Sequence, residues 1–198
     1  MNCKNIGFTA LLLATSVSSL AQEQTLVDTG WYIGGAIGHQ SSELKDSATS
    51  KSTDASFGVF GGYNFQPWFG LEGSFYLGET DVDGSSSLRS AGFGVLSITP
   101  KFTLAINDAA ALYVKAGLAS IGYSEEYRSG SRYSRSNTES WSGAGTSLGI
   151  GAEYRIHNGV KIRLSYDQFR ATLEDVDDYY ADIDAELFQT SFGVYYQF

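Results

Sequence analysis

The chain has 198 residues and a formal net charge of −9, with only 13 lysines and arginines, which argues against nucleic acid as a partner. Glycine occurs 23 times, proline twice, and aromatic residues make up 14%. This composition excludes a disordered chain and is typical of a tightly curved β-sheet. The one cysteine, Cys3, excludes disulfides within the chain.

The first 21 residues have the organisation of a secretory signal peptide. Lys4 precedes an apolar stretch at 6–17, and Ser19-Leu20-Ala21 places small residues at both ends of a cleavage motif. The apolar stretch is too short to cross a bilayer as a helix. A buried amino-terminal helix is the alternative interpretation. We predict a signal peptide at 1–21, which contains Cys3, and a single exported domain at 22–198.

Eight stretches of the exported part alternate polar or small residues with apolar residues, which is the period-two pattern of β-strands. None of them shows a sustained helical period. Most have close to the ten residues of a tilted strand that crosses a membrane. They lie at 31–40, 55–65, 69–78, 91–104, 110–124, 141–154, 160–170 and 187–198.

The connections between these segments alternate in length. Short turns are expected at 66–68, 107–108 and 157–159, and long polar loops at 41–54, 79–90, 125–140 and 171–186. Short turns at one end and long loops at the other are typical of outer-membrane barrels, whose long loops face outwards. We therefore predict an all-β fold, an eight-stranded antiparallel up-and-down transmembrane β-barrel.

The choice between a membrane barrel and a soluble, lipocalin-like barrel depends on which strand face lies outside. In the sixth segment, Leu148, Ile150 and Tyr154 form an apolar face, and the opposite face is mostly glycine and serine. A water-exposed face normally carries far more lysine and glutamate. Small residues instead suit the crowded interior of a narrow barrel. We expect lipid outside and a small, polar interior.

The hairpin between the sixth and seventh segments tests this assignment. Their apolar residues are all even-numbered, so residues paired on one face must sum to an even number. A two-residue turn at Asn158-Gly159 does not satisfy this parity. A three-residue loop, His157-Asn158-Gly159 with Gly159 left-handed, satisfies it, and we expect that loop.

Isolated charges fall on the predicted interior face, roughly four to seven residues from the short turns, in a layer about 13–23 Å from the turn end. Each needs a counter-charge, because an unpaired buried charge costs several kcal/mol. We expect Arg163 to pair with Glu153, which the even-sum register places opposite, and Glu72 to pair with Lys101. The layer consists of Glu72, Lys101, Lys115, Glu153 and Arg163.

Two roles are open for this charge layer. In the first, the ion pairs fill the barrel and fix the strand register. In the second, exchange of the pairs opens a narrow water path, so that the barrel is a gated pore.

The final stretch, 191–198, is a strand with one aromatic and apolar face. An open apolar strand edge invites aggregation, and closure into a membrane barrel removes that edge. The stretch also resembles the terminal assembly signal of bacterial outer-membrane barrels, in the order polar, x, Gly, x, x, aromatic, x, aromatic. The matching residues are Ser191, Gly193, Tyr196 and Phe198.

Several further motifs resemble the transmembrane domain of the outer-membrane protein A family: GWYIGGAIG at 30–38, FGGYN at 60–64, GLE at 70–72, GAEY at 151–154 and IRLSY at 162–166. The resemblance covers nearly all of the exported part and is looser in the loops. It implies that the charge layer is an ion-pair network implicated in a small channel. Larger family members add a periplasmic peptidoglycan-binding domain, which we do not expect in this chain.

Other candidate residues have simpler explanations. His39 and Ser42 near the outer rim suggest a lipid-modifying enzyme, but no carboxylate partner is fixed by spacing. The acidic residues of the last loop suggest a divalent-cation site, although a solvated loop explains them without one: Glu174, Asp175, Asp177, Asp178, Asp182, Asp184 and Glu186.

Arginines and tryptophans complete the candidate residues. Arg128, Arg132 and Arg135 suggest contact with lipopolysaccharide phosphates or with the acidic loop. Trp31, Trp68 and Trp141 are expected in interfacial aromatic belts.

We therefore expect a protein of the Gram-negative outer membrane with no catalytic residues, no metal and no cofactor. Its expected role is envelope integrity and surface interaction through four extracellular loops. The alternatives are a low-conductance pore and a lipid-modifying enzyme. Expected partners are outer-membrane lipid and lipopolysaccharide, the barrel-assembly machinery, periplasmic chaperones and a surface ligand that the sequence does not identify.

Overall fold

The computed structural model describes residues 29–45, 50–81, 88–127, 137–175 and 183–198, so the predicted signal peptide lies outside the described residues. No helix in these ranges is long and apolar enough to cross a membrane. The strands are β1 (Gly30–Lys45), β2 (Ser50–Gln66), β3 (Phe69–Asp81), β4 (Leu88–Ala105), β5 (Ala110–Tyr127), β6 (Asn137–His157), β7 (Val160–Asp175) and β8 (Ile183–Gln197).

The eight strands form one closed antiparallel barrel in sequence order, because β1 pairs with β8. The predicted fold class is therefore confirmed. A line of paired residues that starts at Gln40 and passes once around the barrel returns to β1 at Gly30, ten residues closer to the short turns. This stagger requires the strands to tilt, by about 40° in a barrel of this size.

The strands extend beyond the predicted segments at the end away from the short turns. They have 13 to 21 residues, whereas about ten cross the hydrocarbon. The long connections shorten to 46–49, 82–87, 128–136 and 176–182. The predicted loop bounds were wrong because polar stretches continue the hairpins, whose backbone hydrogen bonds do not require an apolar face.

The β6–β7 hairpin keeps the even-sum register, with Glu153 paired to Arg163. Gly159 has a φ of 78°, as expected for a left-handed turn residue. However, His157 belongs to β6 and pairs with Val160, and the register shifts between Arg155 and His157. The predicted three-residue loop is thus a two-residue turn plus a bulge that accommodates the extra residue.

The exterior of the barrel is apolar over the half that carries the short turns. On β6, outward apolar side chains run from Ile156 to Leu148, a height of about 20 Å for tilted strands. Trp31 and Trp68 lie on this surface, both at least half exposed. Trp141 does not: it faces the interior and is 5% exposed. Its predicted place in an interfacial belt was wrong because its parity on β6 is that of the inward face.

Candidate functional site: the barrel interior

The five charges predicted for the interior all point into the barrel, because each occupies an inward position of its strand. Each of these residues is at most 3% exposed. They come from β3, β4, β5, β6 and β7. The structure therefore brings together Glu72, Lys101, Lys115, Glu153 and Arg163.

Arg163 and Glu72 form the central ion pair. Nη1 of Arg163 donates to Oε2 of Glu72 at 2.6 Å, and Nη2 donates to Oε1 at 3.2 Å, which is the two-bond geometry that guanidinium and carboxylate favour. The Arg163 guanidinium also lies 3.5 Å from the ring centroid of Phe60. These contacts fix the arginine across the lumen.

Lys101 and Glu153 form a second pair, with 3.0 Å between Nζ and Oε1. The predicted pairs, Arg163 with Glu153 and Glu72 with Lys101, were therefore wrong. Glu153 and Arg163 are nevertheless paired side by side on the adjacent strands β6 and β7. In a lumen just wide enough for side chains to fill, a long side chain reaches the far wall as easily as its neighbour. Wall register therefore does not determine the ion partner.

Lys115 links a third acid, Asp167, to the network. The sequence analysis did not predict Asp167. The Nζ of Lys115 lies 3.0 Å from Oε1 of Glu72 and 3.0 Å from Oδ1 of Asp167. Asp167 is fully buried on the inward face of β7. Its odd number, shared with Arg163, is the parity signal that identifies it. The layer thus contains three acids and three bases.

Tyrosines enclose the charges and remove them from water. The hydroxyl of Tyr32 donates to Oε2 of Glu72 at 2.9 Å. The hydroxyls of Tyr113 and Ser165 lie 2.5 Å apart. The Nζ of Lys101 lies 4.5 Å from the centroid of the Tyr32 ring. Such a network is held in one arrangement because every displaced partner leaves a buried group unsatisfied.

The lumen is not polar along its whole length, contrary to the expectation of a small, polar interior. Towards the long connections most of its buried inward side chains are apolar, although the polar side chains of Gln40 on β1 and Gln189 on β8 are buried there as well. Phe93 stacks on Tyr123 at 4.4 Å between ring centroids, and Tyr123 stacks on Trp141 at 5.5 Å. We call this group the upper core, which comprises Phe93, Val95, Ile121, Tyr123, Trp141, Phe169, Leu173 and Leu187.

The other candidate residues are only partly included in the described structure. His39 is exposed on the outer face of β1, and the side chain of Ser42 lies outside the described part of the structure. In the residues that the structure describes, no three histidine, cysteine or acidic side chains are grouped to hold a metal ion.

The predicted acidic loop is partly strand. Glu174, Asp175, Asp184 and Glu186 belong to β7 and β8, where Glu186 accepts from Arg170 at 2.7 Å and Asp184 accepts from the hydroxyl of Thr172 at 3.0 Å. The remaining acidic candidates are outside the described residues, as are the loop arginines: Asp177, Asp178, Asp182, Arg128, Arg132 and Arg135.

The predicted assembly motif lies on the strand that closes the barrel. Ser191 and Gly193 face the interior, whereas Tyr196 and Phe198 are exposed outside, with ring centroids 5.1 Å apart. The backbone N–H of Phe198 donates to the carbonyl of Trp31 at 2.9 Å.

A closed eight-stranded barrel with an apolar exterior and ion pairs inside is a transmembrane barrel of the outer-membrane class. The outer membrane protein beta-barrel domain family matches residues 8–198. The chain belongs to this family, as the resemblance to outer-membrane protein A predicted, and it is a protein of the Gram-negative outer membrane.

Solved structures share the fold at low sequence identity. Neisserial surface protein A superposes with a TM-score of 0.66 at 12% identity, over 86% of this chain and 98% of that one. The attachment invasion locus protein Ail of Yersinia pestis gives 0.55 at 19% identity, over 85% and 99%. OprG of Pseudomonas aeruginosa gives 0.54 at 12% identity, over 87% and 98%. No curated protein matches the chain.

Proposed function

We propose that this protein supports the integrity of the outer membrane and presents four extracellular loops to surface partners, without catalysis. The observation that supports this function is the length of the hairpins. β5 and β6 have 18 and 21 residues, about twice the length that the hydrocarbon needs. Such hairpins hold their connections away from the lipid on a paired scaffold, which is where barrels carry binding specificity.

A deletion strain tests both parts of this proposal. Loss of the protein is expected to increase sensitivity to bile salts and to large antibiotics. A variant in which 128–136 and 176–182 are replaced by short turns should restore resistance but not surface binding. Unchanged sensitivity in the deletion strain contradicts the envelope role. Full surface binding by the shortened variant contradicts the display role.

A low-conductance pore is the second candidate function. It is favoured by the position of Lys115, whose Nζ lies 3.0 Å from an oxygen of both Glu72 and Asp167, so that exchange of partners requires only a small movement. Recording from planar bilayers tests it. A silent wild-type protein, together with unaltered conductance in Glu72→Ala and Arg163→Ala, removes this candidate.

A lipid-modifying enzyme is the third candidate, and it rests only on His39 and Ser42. Its nucleophile and base must reach one substrate. A mass shift of lipid A on expression of the protein, lost in His39→Ala, is the result that would establish it.

We propose four partners for this protein: outer-membrane lipid, lipopolysaccharide, the barrel-assembly machinery and periplasmic chaperones. Arginines in the connection at 128–136 offer bidentate donors for lipopolysaccharide phosphates. We expect salt-sensitive lipopolysaccharide binding that is reduced when Arg128, Arg132 and Arg135 are replaced by alanine. Binding that is unchanged in this variant ends that part of the proposal.

A further inference from the structure

The polarity of the two faces of β7 reverses halfway along the strand. Near the short turn, Arg163 and Asp167 point inward and are buried, and Leu164 points outward. Beyond Asp167 the order inverts: Phe169 and Leu173 point inward and are at most 1% exposed, whereas Arg170 and Thr172 are exposed outside.

Other strands reverse at the corresponding positions. On β5, Ile121 is inward and fully buried, between the exposed Ser120 and the partly exposed Gly122. On β8, Leu187 is inward and buried next to Glu186. Outward side chains of this upper part, apart from the partly exposed Leu77 and Phe188, are small, hydroxyl-bearing or charged: Ser120, Ser124, Ser142, Ala144, Thr146, Arg170, Thr172, Asp184 and Glu186.

Hydroxyl and charged side chains are unfavourable on a lipid-facing strand surface. An exterior of this kind with an apolar interior is the arrangement of a barrel in water. We propose that the upper part of the barrel stands above the hydrocarbon as a water-exposed collar, and that the upper core closes the lumen towards the outside of the cell.

The collar gives the lumen two barriers in series. The lower barrier is the charge layer. The upper barrier is the upper core, a packed constriction made mostly of stacked rings and aliphatic side chains, which opposes the passage of ions because few groups there can replace their hydration shell. Exchange of ion partners at Lys115 therefore does not open a continuous path. This inference concerns closure of the lumen and does not depend on what the loops bind.

Spin labels on one strand test the position of the collar. Ala144→Cys and Leu148→Cys both place a label on the outward face of β6, four residues apart, in a Cys3→Ser background and in lipid vesicles. We expect the label at 144 to be relaxed by a water-soluble nickel chelate, and the label at 148 by oxygen dissolved in the hydrocarbon. Oxygen relaxation at both positions overturns the collar.

Conductance in planar bilayers tests the two barriers. Two variants should remain as silent as the wild-type protein. One is the single substitution Arg163→Ala, and the other is the double substitution Ile121→Thr, Phe93→Ser. The variant that combines all three substitutions should conduct at about ten times the background current of the wild-type protein or more, because both barriers are then open to water. Conductance in folded Arg163→Ala alone overturns the upper barrier, and so does a folded combined variant that stays silent.

A matched control separates an open constriction from a weakened barrel. Ile98→Thr makes the same side-chain change as Ile121→Thr, but on the exterior of β4, where Ile98 is 52% exposed. Arg163→Ala combined with Ile98→Thr should stay silent, and conductance in this control also overturns the upper barrier. The spin-label experiment decides the position of the collar even if the combined conductance variant does not fold.

Discussion

The buried charges show how strongly one residue depends on another in this barrel. Glu72 accepts hydrogen bonds from Arg163, Lys115 and Tyr32, all removed from water. A buried ion pair contributes little net stability when intact, because desolvation of both ions offsets their attraction. Removal of only one partner of the pair is strongly destabilising, since the remaining ion stays buried without a counter-charge. The layer therefore constrains the sequence more than it stabilises the fold.

Arg163→Ala is expected to lower the free energy of unfolding by about 3 kcal/mol, because it leaves Glu72 without its bidentate partner. Arg170→Ala is the matched control: it removes an arginine from a pair with Glu186 in which the arginine side chain is 61% exposed, and it should cost less than about 1 kcal/mol. Urea unfolding in lipid vesicles measures both changes. Equal losses in the two variants contradict the assignment of Arg163 to a buried network.

Glycines provide a second prediction at this scale, through close approach. A Cβ on Gly151 would lie 2.4 Å from the Tyr113 ring and from the Leu164 carbonyl oxygen, whereas on the outward-facing Gly73 its nearest neighbour is 3.8 Å away. We expect Gly151→Ala to destabilise the barrel by about 1–3 kcal/mol. Gly73→Ala should be neutral or stabilising by up to about 1 kcal/mol. The same unfolding measurement distinguishes them, and a larger loss in Gly73→Ala would contradict this packing.

Within a strand, parity decides which environment a side chain meets. Of the three tryptophans, Trp31 and Trp68 are on the exterior and Trp141 is enclosed. Single-tryptophan variants in vesicles of brominated lipid should show strong fluorescence quenching for Trp31 and Trp68, and weak quenching for Trp141. Equal quenching of all three would place Trp141 on the lipid face and contradict the inward register of β6.

Parity also explains how far the sequence determined these elements. Period-two alternation located all eight strands and the inward charges, because each strand buries one face. It misplaced Trp141 and missed Phe169, since the apolar face changes from even to odd numbers towards the long connections of β6 and β7. Asp167 has the inward parity of Arg163 and could have been predicted from it. The partners in each ion pair could not be predicted from the sequence either, because they depend on how far each side chain extends across the lumen. The loop ends were misplaced because polar hairpins pair without an apolar pattern.

The molecule as a whole depends on the seam between β1 and β8, which leaves no open sheet edge. An unheated sample in sodium dodecyl sulfate should therefore migrate as a compact band, and a boiled sample as an expanded one. Deletion of 183–198 should abolish the compact band, because β1 and β7 then expose unpaired backbone groups that lipid cannot satisfy. A compact band in the deletion variant would contradict closure through β8.

The same seam sets the order of events during biogenesis. Tyr32 pairs with Gln197, so β1 cannot complete its pairing until β8 has been synthesised. Contacts this distant along the chain form slowly. During that delay the apolar strand faces are not covered by lipid, and exposed apolar strands aggregate. We therefore expect the chain to remain unfolded until it reaches the membrane, where the pairing of β1 with β8 completes the barrel.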